Sequence, residues 1–263
     1  MDPAGGPPDP HPPRARPPVT EPGPILQVDG VRTSFRRGQV LKSAGFSAHS
    51  GRITVLMGRN GAGKSSLFRV AVGRMRADSG RILYKGEPVE TPTLAGLARR
   101  GLMYLPQETG LTQFFSIRQH LEAMARSFGG SSRLESVLEE LKLGELQRRR
   151  PRHVSGGERR RAALALALVR QPDCLLMDEP FSGIDPTDRE LVQGGLRSLR
   201  EAGTAVVISG HDVEDLFELA DDVIWVTAGT SHWLGTPAEA RVHSRFSREY
   251  LGEVPGSRPS PEL

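Results

Sequence analysis

An α/β fold built on a mainly parallel sheet is what this sequence of 263 residues predicts. Three observations carry that expectation. Between about Ile25 and Gly252, short β-type apolar runs alternate with stretches of helical spacing, as strands joined by crossover helices do. One such strand, "RITVLM", runs straight into "GRNGAGKS" (residues 58–65), and a helical pattern leaves it. Another, "CLLM", is apolar throughout, as a strand covered on both faces must be, and it ends at the adjacent carboxylates Asp178 and Glu179.

The elements follow in order. "ILQVDGVRTSF" and "RITVLMG" are rich in residues that fit a pleated, half-buried surface and read as strands. "KSSLFRVAVGRM" reads as a helix, "GRILYKGEPV" as a strand with a turn, "TLAGLARRG" as a helix and "LMYLPQ" as a strand running into a loop. Residues 117–149 have helical apolar spacing and no convincing strand, which predicts an all-helical insertion broken at "GGSS". The alternation then resumes: a helix from about 156, strand "DCLLMD", a helix from about 187, strand "TAVVIS", helix "VEDLFELA" and strand "DVIWV". No internal repeat is visible.

The ends differ in kind. Residues 1–24 and 253–263 are rich in Pro, Gly and charge and carry little apolar surface to offset the cost of ordering, so both are expected to be disordered tails around one domain spanning 25–252. The opening stretch has no apolar segment of the kind a signal peptide needs, and no later run approaches the roughly 20 apolar residues that span a bilayer. A soluble, cytoplasmic chain is expected. The one cysteine, Cys174, sits inside an apolar run and reads as a buried structural thiol. Net charge is +4, and the basic runs "RRRPR" (148–152) and "RRR" (159–161) read as solvated faces, so no nucleic-acid partner is expected.

The stretch from Gly58 to Ser65 satisfies G-x-x-x-x-G-K-[ST] in the strand–loop–helix context that its mechanism requires. Gly58, Gly61 and Gly63, with Asn60 and Ala62 between them, let backbone amides wrap phosphates. Lys64 reaches the β and γ oxygens, while the Ser65 hydroxyl, followed by Ser66, ligates Mg²⁺. A magnesium site also wants a carboxylate at the end of a neighbouring strand, and Asp178 supplies it. Glu179, its side chain directed away from that of Asp178, is free to act as general base on an attacking water. A second serine–glycine–glycine run, Ser155, Gly156 and Gly157, opens the helix at 156, and exposed amides there suit another anion.

These residues resemble the nucleotide-binding domain of ATP-binding-cassette (ABC) proteins over nearly all of 25–252. "GRNGAGKS" is similar to Walker A, "YLPQ" (104–107) to the Q-loop, "VSGGE" (154–158) to the signature motif, "CLLMDEP" to Walker B, "SGID" (182–185) to the D-loop and "SGHD" (209–212) to the switch-histidine loop, all in the family's order. The resemblance implies a P-loop NTPase core with a mainly parallel sheet, an antiparallel β portion and a helical subdomain over about 108–165. It implies ATP and Mg²⁺ as ligands, Gln107 as sensor of Mg²⁺ and the attacking water, and His211 as a contact of the γ-phosphate. Phe35 lies where the family often stacks an aromatic on adenine; a Phe beside a strand is equally a core residue, and both readings stand.

In this family two cassettes pair head to tail, with ATP between the P-loop of one and the signature helix of the other. That implies a homodimer in which Ser155, Gly156 and Gly157 face the partner's γ-phosphate and Asp185 lies near the interface. Having no span of its own, the chain would energise separate permease subunits, docked at the helical insertion after Gln107, from the cytoplasmic face of the membrane. "SGGERRR", "DEPFSGIDP" and the ending "GTPAEARVHSRFSREYLGE" are most similar to lipopolysaccharide-export cassettes, and next to branched-chain amino-acid import cassettes. Arg59, Ser66 and Leu166 stand where the family usually has proline, threonine and arginine. The alternative is a soluble ABC ATPase acting as assembly factor or mechanical clamp.

Overall fold

The computed structural model describes residues 23–35, 38–108 and 110–252, without the Phe35 side chain. The expected tails thus fall, apart from Gly23 and Pro24, outside the described residues. The chain runs β1 (Leu26–Phe35), β2 (Gly38–Ala48), β3 (Ile53–Met57), α1 (Lys64–Ala71), β4 (Ser79–Tyr84), β5 (Glu87–Pro88), α2 (Leu94–Arg99) and β6 (Leu102–Leu105). Then come α3 (Ile117–Phe128), α4 (Leu134–Glu140), α5 (Gly156–Arg170), β7 (Cys174–Met177), α6 (Pro186–Glu201), β8 (Ala205–Gly210) and α7 (Val213–Leu219). The chain closes with β9 (Asp222–Thr227), β10 (Thr230–Gly235), α8 (Pro237–Val242), α9 (Ser244–Phe246) and a wide helical turn over Ser247–Leu251.

The strands lie in the order β5-β4-β1-β2-β10-β9-β3-β8-β7-β6. From β9 to β6 every neighbour is parallel. β2, β1, β4 and β5 pair antiparallel, and this portion joins the rest through the parallel Thr230–Ser43 bridge to β10. The parallel strands are in register at their C-terminal ends: Met57 is opposite Gly210, Ile208 opposite Met177, and Met177 opposite Leu105. The loops leaving β3, β6, β7 and β8 therefore emerge together along one edge, where open α/β sheets place their ligands.

Alternation along the parallel strands feeds two cores. Val55, Met57, Leu175, Met177 and Ile208 pack toward the helical side with Leu121, Leu138, Leu164 and Leu196. Leu56, Cys174, Leu176 and Val207 pack on the other face with Leu67 and Phe68 of α1 and with Phe46 of β2. Cys174 is a free, fully buried thiol, and burial pushes its pKa far up, as expected of a structural cysteine.

The residues of the expected helical insertion form α3 and α4, separated at Gly129 and Gly130, both with left-handed φ. Two strands escaped the sequence reading. β2 is poor in β-branched residues, and its buried positions Leu41, Ala44, Phe46 and Ala48 break strict alternation because the β1–β2 register shifts three times. β10 is short and only half covered, so it too lacks a clean pattern. The "RRR" run also departs from its expected solvated face. Arg160 and Arg161 are 6% and 8% exposed because α5 packs between sheet and insertion, and both guanidinium groups find acceptors there.

Phe68 holds the P-loop helix between the two β portions, edge-on to Phe46 at 5.8 Å and to Tyr104 at 6.3 Å. Replacing Phe68 by Ala should cost about 3–5 kcal/mol of unfolding free energy in a urea titration followed by circular dichroism.

Candidate functional site

α1 begins without a side-chain cap. Gly63, at φ 112°, precedes it, and a Cβ there would lie 2.9 Å from Leu41 Cδ2, so only glycine fits the turn. The first amides of α1 are thus left to an acceptor from outside the helix, as in other anion-binding helix starts. A cavity of about 480 Å³ opens in front of them, lined by Asn60 to Ser66, Val40, Gln107, Glu179, Ser182 and His211.

Lys64 is 5% exposed; its Nζ donates to the Gly58 carbonyl at 2.7 Å and lies 3.4 Å from Glu179 Oε1. The other Glu179 oxygen, Oε2, is 3.0 Å from His211 Nδ1. Asp178 takes different partners: its Oδ1 accepts from Ser65 Oγ at 3.1 Å and from Ser209 Oγ at 2.5 Å. Glu179 has a left-handed φ of 52°, unusual for a non-glycine residue, and the Ser209 hydroxyl accepts its amide at 3.1 Å. One serine thereby fixes both acidic residues.

Ser209 and Arg160 were not assigned roles from the sequence. Ser209 stands inside the quoted "SGHD" motif, whereas no spacing marks Arg160. Arg160 Nη1 donates to the Gln107 carbonyl at 2.9 Å. Burial lowers its pKa against the opposing pull of Asp178 and Glu179. Gln107 is exposed and lines both the P-loop cavity and a second one of about 920 Å³, which Arg69, Arg74, Arg159 and Arg160 share.

Ser155, Gly156, Gly157 and Asp185 do not line the P-loop cavity of their own chain. Ser155 caps α5 reciprocally: its Oγ accepts the Glu158 amide at 3.0 Å and Glu158 Oε2 accepts the Ser155 amide at 2.6 Å. Gly157 is glycine for an internal reason, since a Cβ would collide with the Asp188 carboxylate. Gly156 has no such reason: it is exposed, and a Cβ would meet nothing closer than 3.9 Å. Asp185 caps α6 by accepting the Asp188 amide at 2.9 Å, which holds its carboxyl below the usual range. Asp188, pushed up by burial, is ion-paired with Arg161 at 2.5 Å, so the starts of α5 and α6 are one rigid piece. Phe35 ends β1 opposite Gly38, and its side chain lies outside the described residues.

A glycine-rich loop between a parallel strand and a helix, its lysine facing an acidic pair at the end of β7, one strand beyond the neighbouring β8, defines a P-loop nucleoside triphosphatase. The family profile described as ABC transporter matches residues 41–182, and the chain belongs to that family: it is an ATP-binding cassette and an ATPase. The lipopolysaccharide export system ATP-binding protein LptB of Haemophilus influenzae is 31% identical over 235 residues, 87% of this chain and 98% of the relative. The Nod factor export ATP-binding protein I of Rhizobium sp. (strain N33) is 35% identical over 217 residues, 81% of this chain and 71% of the relative. Among solved structures, an ATP-binding cassette of an ABC transporter in its ADP conformation has the same fold, with TM-score 0.75 at 22% identity, covering 88% of this chain and 99% of that one.

Ser209→Ala leaves the Glu179 amide and one lone pair of Asp178 without their shared partner. Turnover measured by phosphate release should fall about tenfold, with the far-ultraviolet spectrum unchanged.

Proposed function

We propose that this chain is the ATP-hydrolysing subunit of a membrane exporter: two copies close around ATP and drive separate permease subunits whose cargo is of the lipopolysaccharide or lipid type. The observation that supports the pairing most is that one chain carries two anion-ready sets of amides. The second, the start of α5 at Gly156 beside the Ser155 hydroxyl, is exposed; it is absent from the lining of the P-loop cavity itself, and Gly156 lines the adjoining cavity of about 920 Å³. A glycine at 156 for which the chain's own packing gives no cause is accounted for by a phosphate arriving from a second copy. Asp185, capping the neighbouring helix, then lies near the seam.

Within the P-loop cavity the residues divide the chemistry. The amides of Gly61 and Gly63, with those of Lys64 and Ser65, cradle phosphate oxygens, and the Lys64 ammonium neutralises charge on the β and γ groups. Ser65 Oγ and Asp178 Oδ1, 3.1 Å apart, with Gln107 at the cavity wall, form an all-oxygen donor set that fits Mg²⁺. When bound, that ion adds positive charge across the phosphates. The Glu179 carboxylate takes a proton from a water molecule as its oxygen bonds to the γ-phosphorus and the bond to the bridging oxygen of ADP breaks. His211 contacts the γ-phosphate, and Ser209 keeps the two carboxylates apart.

For the permease, the described residues contain no helix long and apolar enough to cross a membrane. Phe114 and Phe115, 79% and 51% exposed, directly follow Gln113, which with Gln107 lines the cavity of about 920 Å³. Exposed aromatics next to a cleft mark an interaction site, here on the cytoplasmic side of a membrane partner. The export cargo is argued from the similarity to the LptB and Nod factor export ATP-binding proteins.

Glu179→Gln should retain ATP binding but lose at least about 99% of turnover, the scale of a missing general base. With ATP and Mg²⁺ its mass by light scattering should be that of two cassettes; a mass that stays single, with detergent-solubilised membrane partners supplied, overturns the pairing. Lys64→Ala should instead weaken nucleotide affinity at least about tenfold in a fluorescence titration, through loss of a charge-assisted contact.

A further inference from the structure

The C-terminal turn Ser247–Leu251 lies against the P-loop. Tyr250 is half-buried, and its hydroxyl donates to the backbone carbonyl of His211 at 2.9 Å. The amide of Gly58, the first residue of the P-loop, donates to the carbonyl of Gly210, the residue before His211, at 3.3 Å. One residue further along the P-loop, Arg59 Nη2 donates to the Glu249 carbonyl at 3.1 Å. The turn therefore touches both loops that converge on Glu179, the P-loop and the switch loop. Arg59, Glu249 and Tyr250 wall a space of about 470 Å³ between the P-loop and the β9–β10 end of the sheet.

The turn is not loosely laid there. Tyr250 stacks on Phe246 at 5.2 Å and 20° between planes, and Phe246 is fully buried. Phe246 stacks in turn on Phe217 of α7 and meets Trp225 of β9 edge-on. α7 begins two residues after His211, so the stack fixes the far side of the switch loop as well as the turn. Burial pushes the Tyr250 phenol up to about 12, so at neutral pH it is an uncharged donor. A phenol on a rigid aromatic stack gives its hydrogen bond a fixed point in space, as exposed hydroxyls do not.

The geometry points to Tyr250 as a positioning residue for hydrolysis, with Arg59 as its clamp. The Tyr250 hydroxyl sets the height of the His211 backbone, and hence the reach of its imidazole toward Glu179 and the γ-phosphate, while Arg59 holds the turn that carries the tyrosine. The two act as one latch between the P-loop and the switch loop. The residue that makes the clamp, Arg59, stands where the family usually has proline, whose side chain has no donor. This assignment rests on His211 contacting the γ-phosphate, as proposed above.

Tyr250→Phe keeps the stack and deletes one oxygen. In steady-state ATP hydrolysis kcat should fall about fivefold, the size of one lost neutral hydrogen bond, with KM for ATP unchanged and the thermal midpoint within about 2 °C of the parent. Arg59→Ala should move kcat in the same direction, and the double variant should fall no further than the worse single one, because both act through one turn. Unchanged kcat in Tyr250→Phe, or full additivity in the double variant, overturns the latch. His211→Ala separates the two levels. If it loses turnover while Tyr250→Phe keeps it, the latch alone is wrong; if His211→Ala itself keeps full turnover, the histidine's role and the latch fall together.

Discussion

Two consecutive carboxylates at the end of β7, 2% and 8% exposed, are costly to bury unless cations and donors converge on them. The rest of the site is arranged by that requirement. Lys64 and Ser65 come from the start of α1, Ser209 and His211 from the end of β8, and Arg160 from α5. No two neighbouring groups of the chain could do this. It takes a parallel sheet whose strand ends are in register, which is why the sheet order and the site are one problem rather than two. The left-handed backbone at Glu179 turns two adjacent side chains to different partners, and Ser209 fastens it.

A second constraint ties α5 to α6. Arg161 and Asp188 are both buried, and removing either partner would strand a charge. Gly157 has no side chain because the Asp188 carboxylate occupies the space a Cβ would need. The exposed start of α5 and the Asp185 cap of α6 consequently move together. In the proposed pairing, an anion pulling on Ser155 also moves Asp185, so signature and D-loop respond to one event instead of two.

The sequence made the parallel core legible because its strands are covered on both faces and open with unbroken apolar runs, as in "CLLM" and "AVVI". The P-loop and acidic pair were legible because each lies within a short stretch of chain whose spacing is fixed by phosphate geometry. What the sequence hid depends on contacts between distant segments. β2 is a strand because β1 and the Gly229 carbonyl accept its irregular register, not because its own residues favour one. Arg160 and Arg161 have the composition of a surface run, and their burial follows from where α5 crosses the sheet. Ser209 was in view within a motif, but its double hydrogen bond needs β7 and β8 to be adjacent. Glu249, beside Tyr250, is 190 residues from Arg59, and only the closing of the fold brings them together.

If the second copy is joined as proposed, its strength is set by how little each junction contributes. A helix start carries about half a positive charge, and in a partly buried geometry such an end is worth at most about 2 kcal/mol toward an anion. Two symmetric junctions then supply about 4 kcal/mol, near a thousandfold in the association equilibrium. That is enough to close two cassettes held close by common membrane partners, and small enough to lose when the γ-phosphate leaves. A signature helix bearing a lysine or arginine in place of Gly156 would grip the phosphate harder and release it late. The exposed glycine, contributing amides and nothing else, keeps the closed state dependent on one phosphoryl group, so that cutting one bond in each site is sufficient to open the pair.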